Sequence, residues 1–191
     1  MAININELFV NALLKMMERK KLSSVTIQDL LDETGASRQT FYNHFKDKND
    51  LVCYIYNNRI IPDYRNADDE RMNFKTSLLS SFYHMKEYYA FLNQALRDES
   101  AGNLKDYIMN HCVSFDMEWH QTCYGSKAMP ESLRFATEYH AIASSSMTIS
   151  WILSGMPVSC EEMVDMIVQM RGIGMDKLFD GCDGSGNPYK M

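Results

Sequence analysis

The stretch from Thr26 to Lys48, TIQDLLDETGASRQTFYNHFKDK, reads as a helix, a tight turn, a second helix and the start of a third. Thr26 is a good N-cap, because its hydroxyl accepts a backbone N–H that the first helical turn leaves unpaired, and Asp29 supports the same end through its charge. Ile27, Leu30 and Leu31 recur at i, i+3 and i+4 as a short apolar stripe, and Gly35 supplies the left-handed residue that closes the helix. Ser37 caps a second helix that opens with the polar Arg38, Gln39 and Thr40, while Phe41 and Phe45, one turn apart, face inward. In a helix-turn-helix such a second helix enters the major groove, its first side chains meet base edges, and flanking polar groups hold phosphates. Arg matches guanine and Gln matches adenine in bidentate fashion, so Arg38 and Gln39 are the candidate base readers, with Thr40 beside them. Tyr42, His44, Lys46 and Lys48 fall on the phosphate side, and Thr26 and Ser37 complete the candidate DNA-binding set. The plainer alternative is a helical hairpin inside an all-α protein with Arg38 and Lys48 merely solvated. Agreement of turn, caps and apolar spacing argues against it.

Outward from this stretch, residues 6–20 put Leu8, Phe9, Ala12, Leu13, Met16 and Met17 on one face, the pattern of a support helix behind the reading pair. After Lys48, the segment NDLVCYIYNNRII continues with Leu51, Val52, Ile55 and Tyr56 in helical register and bridges toward the rest of the chain.

The residues Thr26, Ile27, Leu30, Gly35, Ser37, Thr40, Phe41, Tyr42, His44, Phe45, Lys48 and Leu51 form a pattern that resembles the DNA-binding domain of the TetR family of bacterial transcriptional regulators. The resemblance covers about the first sixty residues. It implies an all-α homodimer on a palindromic double-stranded DNA operator, usually a repressor, whose C-terminal domain binds a small effector that changes the spacing of two DNA-reading heads. Gln39 stands where many members of that family carry a small residue. A wider likeness, in RQTFYNHFKDK, the following aromatic helix and the Trp151-Ile152 neighbourhood, is similar to the branch that includes dihydroxyacetone kinase operon activators. That branch can activate through a protein co-regulator, so the sign of regulation is not implied.

The totals set further bounds. The 191 residues suit one large or two small domains, and 46% hydrophobic with 23% charged residues is ordinary for a soluble globular protein. No stretch approaches eighteen uninterrupted apolar residues, and MAININELF lacks the pattern of a secretory signal; the expectation is a cytoplasmic protein with no membrane partner. Five widely spaced cysteines without a CxxC fit reduced thiols. The net charge of −6 is unevenly spread: residues 1–61 carry eight Lys/Arg and seven Asp/Glu, and the remainder carries 11 basic and 18 acidic residues, or −7. A near-neutral head with clustered Arg38, Lys46 and Lys48 can bind DNA, and the acidic body should stay off the duplex.

Pro62 and the polar run Asp63 to Glu70 break the pattern, which divides the chain into a helix-turn-helix domain at 1–61, a helical effector-binding and dimerisation domain at 62–179 and an expected disordered tail at 180–191. The second domain is expected to be a helical bundle, giving an all-α fold throughout. Residues 71–97 read as one long helix, Leu104 to Tyr124 as another, and 131–154 and 159–179 as a last antiparallel pair. Cys112, Asp116, His120 and Cys123 share one face of the second of these, yet no dense metal-binding signature accompanies them, and no metal or cofactor is expected. The effector-pocket candidates are Phe82, Tyr89, Tyr107, Asp116, Trp119 and His120. Small residues on the penultimate helix and methionines on the last suggest a four-helix dimer surface built from Ala143, Met147, Trp151, Met163, Ile167 and Met170. An enzyme is the rival class, but a phosphate loop, a nucleophile elbow and HExxH are all missing; a helical adaptor that kept the motif as a protein contact is the other.

Overall fold

Asn4 opens the first helix by accepting hydrogen bonds from the N–H groups of Asn6 and Glu7, and α1 (Ile5–Met17) then buries Phe9, Val10, Leu13 and Met16 on one face. The computed structural model describes residues 4–61, 74–98, 104–175 and 177–189. A 3-10 turn at Leu22–Ser24 leads to α2 (Ile27–Thr34). Here Thr26 and Asp29 form a reciprocal capping box, each side chain meeting the other's backbone N–H, so Asp29 does more at this end than its charge alone implies. Gly35 closes α2 at φ 68°, a conformation that a residue with a Cβ adopts only at a cost. Ser37 caps α3 (Arg38–His44), and Asp47 caps α4 (Lys48–Ile55). Phe9 meets Phe41 and Phe45 edge to face, with centroids 5.1 and 6.2 Å apart, so three aromatic rings hold the recognition helix against α1.

The bridge after α4 departs from the expected regular helix. Residues Tyr56–Ile60 widen into a π turn, with Ile61 N–H donating to Tyr56 O across five residues. The expected boundary at Pro62 and Asp63–Glu70, and the interruption at Ser100 and Gly102, lie outside the described residues.

The remaining helices are α5 (Phe74–Glu87), α6 (Tyr89–Arg97), α7 (Leu104–Tyr124), α8 (Glu131–Leu153) and α9 (Cys160–Met175). The single long helix expected over 71–97 is two helices, because Tyr88 leaves helical geometry at φ −94°, ψ 23°. The break lets α5 lie on α9 while α6 turns toward α8 and the 3-10 turn, so each half buries its stripe against a different partner. α8 runs along α7, and α9 packs on both α5 and α8. At Gly174 the approach is close enough that a Cβ would stand 2.3 Å from His140 Nε2. Among the described residues the fold is all-α.

Residues 180–189 do not form the disordered tail that their Gly-rich composition suggests, and residues 190–191 lie outside the described residues. The N–H groups of Asp183 and Gly184 donate to Tyr124 O and that of Gly186 to Cys123 O, satisfying carbonyls that the end of α7 leaves unpaired. Asp183 accepts from the Ser126 N–H and hydroxyl, and this contact holds its carboxyl below the usual range. A Cβ on Gly125 or Gly184 would collide with this crossing. Phe179 before this crossing and Tyr189 after it both lie in the core.

Candidate nucleic-acid interface and effector cavity

On the head, Ser37, Arg38, Gln39, Tyr42, His44 and Lys46 are exposed, and Thr40 and Lys48 are half-buried. The caps that start α3 leave its first turn facing outward, since Phe41 and Phe45 are drawn inward. Arg38 Nη2 donates to Gln28 Oε1 at 3.1 Å, which leans the guanidinium toward α2, whereas the Gln39 side chain makes no hydrogen bond among the described residues. Ser37 and Thr40 pair through their hydroxyls, and His44 Nδ1 meets Asn6 Oδ1 at 2.7 Å. Thr26 is occupied by its capping box, and Lys20 and Thr26 together hold the Asp29 carboxyl well below the usual carboxylate range. Lys48 is placed differently from its neighbours. Its ammonium donates to Leu22 O at 2.9 Å and Val25 O at 3.1 Å, anchoring the end of the 3-10 turn. Leu22 N–H in turn donates to Gln94 Oε1 of α6 at 2.8 Å, so one short relay joins the start of α4 to the body.

The body holds a partly open cavity of about 90 Å³. Tyr56 and Ile61 reach it from the π turn, Phe74, Leu78 and Phe82 from α5, and Ile108 and Phe115 from α7. Its polar side is made by Cys112 and Asp116 of α7, Ser144, Ser145 and Thr148 of α8, and Arg171 of α9. Of the six residues expected to line an effector pocket, Phe82 and Asp116 do so. Tyr107 is turned aside, accepting a hydrogen bond from Asn57, and Tyr89 accepts one from Asn93 on α6. Trp119 stacks on Phe115 with centroids 5.9 Å apart, one layer behind the cavity wall. A wider groove lies where the head meets α6, lined by Leu22, Gln94, Arg97 and Asp98.

His120 is fully buried beside the cavity, in a chain of hydrogen bonds whose direction can be worked out. Thr137 gives its hydroxyl proton to Leu133 O, so it accepts from His120 Nδ1–H; His120 Nε2 therefore accepts from the Tyr189 hydroxyl, which accepts from Arg171 Nη1. Burial, then the nearby Arg171 charge, pushes the His120 imidazole down to about 3. Arg171 lies 2.6 Å from Asp116 Oδ2, and both are almost fully buried. The contact joins charge to charge without hydrogen-bond alignment, leaving Oδ2 without an angled donor. Arg171 Nε and Nη2 also donate to Ser144 Oγ, and the guanidinium sits 4.9 Å from the centre of the Phe74 ring. Burial pushes the Asp116 carboxyl up, opposed by Arg171, and pushes the Cys112 thiol up to about 12.

The face shared by Cys112, Asp116, His120 and Cys123 thus divides: two line the cavity, His120 joins the relay to Tyr189, and Cys123 lies buried beneath the tail. Among the described residues no three His, Cys, Asp or Glu side chains gather to hold a metal ion. Arg171, Ser144 and Tyr189 are absent from the sequence-derived site. One clue to the first was available: Met163, Val164, Ile167, Val168 and Met175 mark an inward face on α9, and Arg171 is the one charge on it.

On the outer side of α8 and α9, Phe135, Tyr139, Ile142 and Met147 alternate with Met166, Met170 and Ile173, all exposed, Phe135 to 71% and Ile173 to 69%. Phe135 and Tyr139 stack on each other. Of the expected dimer residues, Ala143, Met147 and Met170 belong to this outer side. Trp151, Met163 and Ile167 do not: each is buried within its own chain, Trp151 donating to Val158 O and packing on Phe82. No helix among the described residues is long and apolar enough to cross a membrane.

Comparison with known proteins agrees with this architecture. The model described as bacterial regulatory proteins, tetR family, matches residues 9–55, and that described as transcriptional regulator C-terminal region matches residues 72–171, more than half the chain. A solved structure, the dihydroxyacetone kinase operon activator DhaS, superposes with a TM-score of 0.63 at 19% identity, over 92% of this chain and 98% of that one. No curated protein matches the chain. Residues 9–55 hold the capped reading pair and residues 72–171 the helices around the cavity, so the chain belongs to the TetR family of transcriptional regulators, acting through a DNA-binding helix-turn-helix head.

Proposed function

We propose that two copies of this chain join through the outer side of α8 and α9, presenting two α3 helices to a palindromic operator, and that a small molecule in the cavity shifts the spacing of the heads. The observation that carries the proposal is the stripe of seven large exposed apolar side chains from Phe135 to Ile173. Scattered exposed apolar residues are ordinary, but seven in register on one helix pair mark a surface that another surface covers. A second copy of the same stripe is self-complementary, as a two-fold interface requires. Arg38 and Gln39 are the base readers, and Ser37, Thr40, Tyr42, His44 and Lys46 hold the backbone.

The coupling runs through Tyr56, which lines the cavity and begins the π turn that follows α4. A ligand regulates only if it prefers one head spacing, since equal affinity for both shifts nothing. A cavity walled by the π turn and four helices of the body favours a small effector over a protein co-regulator, whose contact surface lies outside. Tyr139→Arg with Ile173→Arg places like charges across the two-fold contact. The pair should turn a dimer into a monomer in light scattering and abolish the salt-dependent complex with the protein's own upstream DNA, while leaving the helical signal unchanged. Wild-type protein that is monomeric at micromolar concentration yet binds its operator tightly would remove the proposal.

A further inference from the structure

Resting on the reading of the cavity as an effector site, we infer that its Asp116–Arg171 end is a subsite for the head of a small uncharged ligand that donates and accepts a hydrogen bond at once, as a carboxamide does. The two side chains come from facing helices, are each 4% exposed and stand 2.6 Å apart. Together they carry no net charge. Arg171 is held on three sides, by Ser144, by the Tyr189 hydroxyl and by the Phe74 ring, so it cannot swing away to greet a ligand. Asp116 has acceptor capacity left over: an ionised carboxylate offers about four lone-pair sites, and Arg171 Nη1, 2.6 Å from Oδ2, takes up one of them.

Charge decides what fits. An anionic head would bring a second negative charge beside the Asp116 carboxylate, 2.6 Å from the guanidinium it would have to share. An ammonium head would face Arg171. Either charge would also lose water against a largely apolar lining, without a partner of its own. A carboxamide avoids both costs, because its N–H fills the spare acceptor on Asp116 and its carbonyl takes a guanidinium N–H. Size narrows the class further. The cavity of about 90 Å³ is smaller than the roughly 150 Å³ that admits benzene. The part of the ligand that the cavity takes in is therefore a head with a short alkyl body, received by the apolar side chains of Phe74, Leu78 and Phe82.

Propionamide, propionate and n-propylammonium have nearly the same shape and differ in charge, so the full-length protein is titrated with each and followed by NMR. Propionamide should give saturable shifts at cavity residues and bind about tenfold or more tighter than either ion. In Asp116→Asn, Arg171 loses its counter-ion and the order should invert, with propionate above propionamide. If that variant does not fold, the wild-type ranking decides alone. A wild-type protein that binds propionate or propylammonium as well as propionamide overturns the subsite but leaves the cavity as an effector site. The subsite is equally overturned by an Asp116→Asn protein that keeps the wild-type order. Absence of saturable shifts with all three overturns the subsite and the effector cavity together.

Discussion

The DNA-reading head and the helical body solve the same problem, pairing polar groups while burying apolar ones, in opposite ways. In the head the caps are local: Asn4 to Asn6, Thr26 to Asp29, Ser37 to Thr40 and Asp47 to Asp50 pair groups two or three residues apart, around a core whose centre is the rings of Phe9, Phe41 and Phe45. In the body the buried side chains of His120, Arg171 and Tyr189 find partners far along the chain. Arg171 and Ser144 are 27 residues apart, and His120 and Tyr189 are 69 apart. A unit with local caps can be carried as a rigid piece, because moving it leaves those caps intact even where its link through Leu22 to Gln94 opens. A network drawn from α7, α8, α9 and the C-terminal segment stays satisfied only while those elements keep their register, so competing arrangements arise there.

The largest test of this contrast removes one charge from the body. Asp116→Ala leaves Arg171 buried without its counter-ion and should cost about 3–5 kcal/mol in urea denaturation. Asp116→Leu combined with Arg171→Met should recover most of that loss. The exposed Lys15–Glu33 pair of the head is the control: Glu33→Ala should leave the urea midpoint nearly unchanged. If the double variant is as unstable as Asp116→Ala, the destabilisation comes from altered shape and not from an orphaned charge.

The next effect is a pH dependence that belongs to the body. His120 is held neutral down to about 3, whereas an unfolded His takes up a proton near 6.5. Between those values the unfolded chain binds more protons than the folded one, so stability is fully present above about 6.5 and falls as pH drops. From pH 7 to pH 5 this group alone should remove about 2 kcal/mol. Protonation also breaks the relay, since Nε2 can no longer accept from the Tyr189 hydroxyl. His120→Gln should flatten the profile between pH 7 and 5. An unchanged profile would mean that other groups set it.

These two regions also differ in how far their sequences can be read. The head was legible because caps, the Gly35 turn and the Phe41/Phe45 spacing are all local signals, each within one or two helical turns. The body was legible as helices but not as a site. α8 carries apolar residues on two sides, one for its own core at Trp151 and Ile152 and one exposed at Phe135 and Tyr139, and periodicity alone cannot tell which side faces where. That ambiguity is why Trp151, Met163 and Ile167 read as interface residues. The tail misled for a different reason. Glycine-rich composition signals disorder when nothing holds the backbone, but here its amides cap the end of α7, a pairing set by tertiary structure.

The smallest effects separate the contacts within the head itself. Gln39 is exposed at the start of α3 with its amide unpaired among the described residues, so Gln39→Ala should cost about 1–3 kcal/mol on the selected operator and little on scrambled DNA. Lys46 is exposed just past the same helix. Its loss should weaken all sequences alike and lower the salt slope by roughly one counterion per head. Lys48 carries charge of the same sign, but its ammonium is committed to Leu22 O and Val25 O. Lys48→Ala should therefore lower stability by about 1 kcal/mol while leaving the salt slope nearly unchanged. Titrating the three variants against both DNAs at several salt concentrations distinguishes the roles. Should Lys48→Ala reduce the slope as much as Lys46→Ala, its ammonium leaves the carbonyls for a phosphate on binding. The link from α4 through Leu22 to Gln94 would then open in the DNA complex, and the head would no longer travel as one rigid piece.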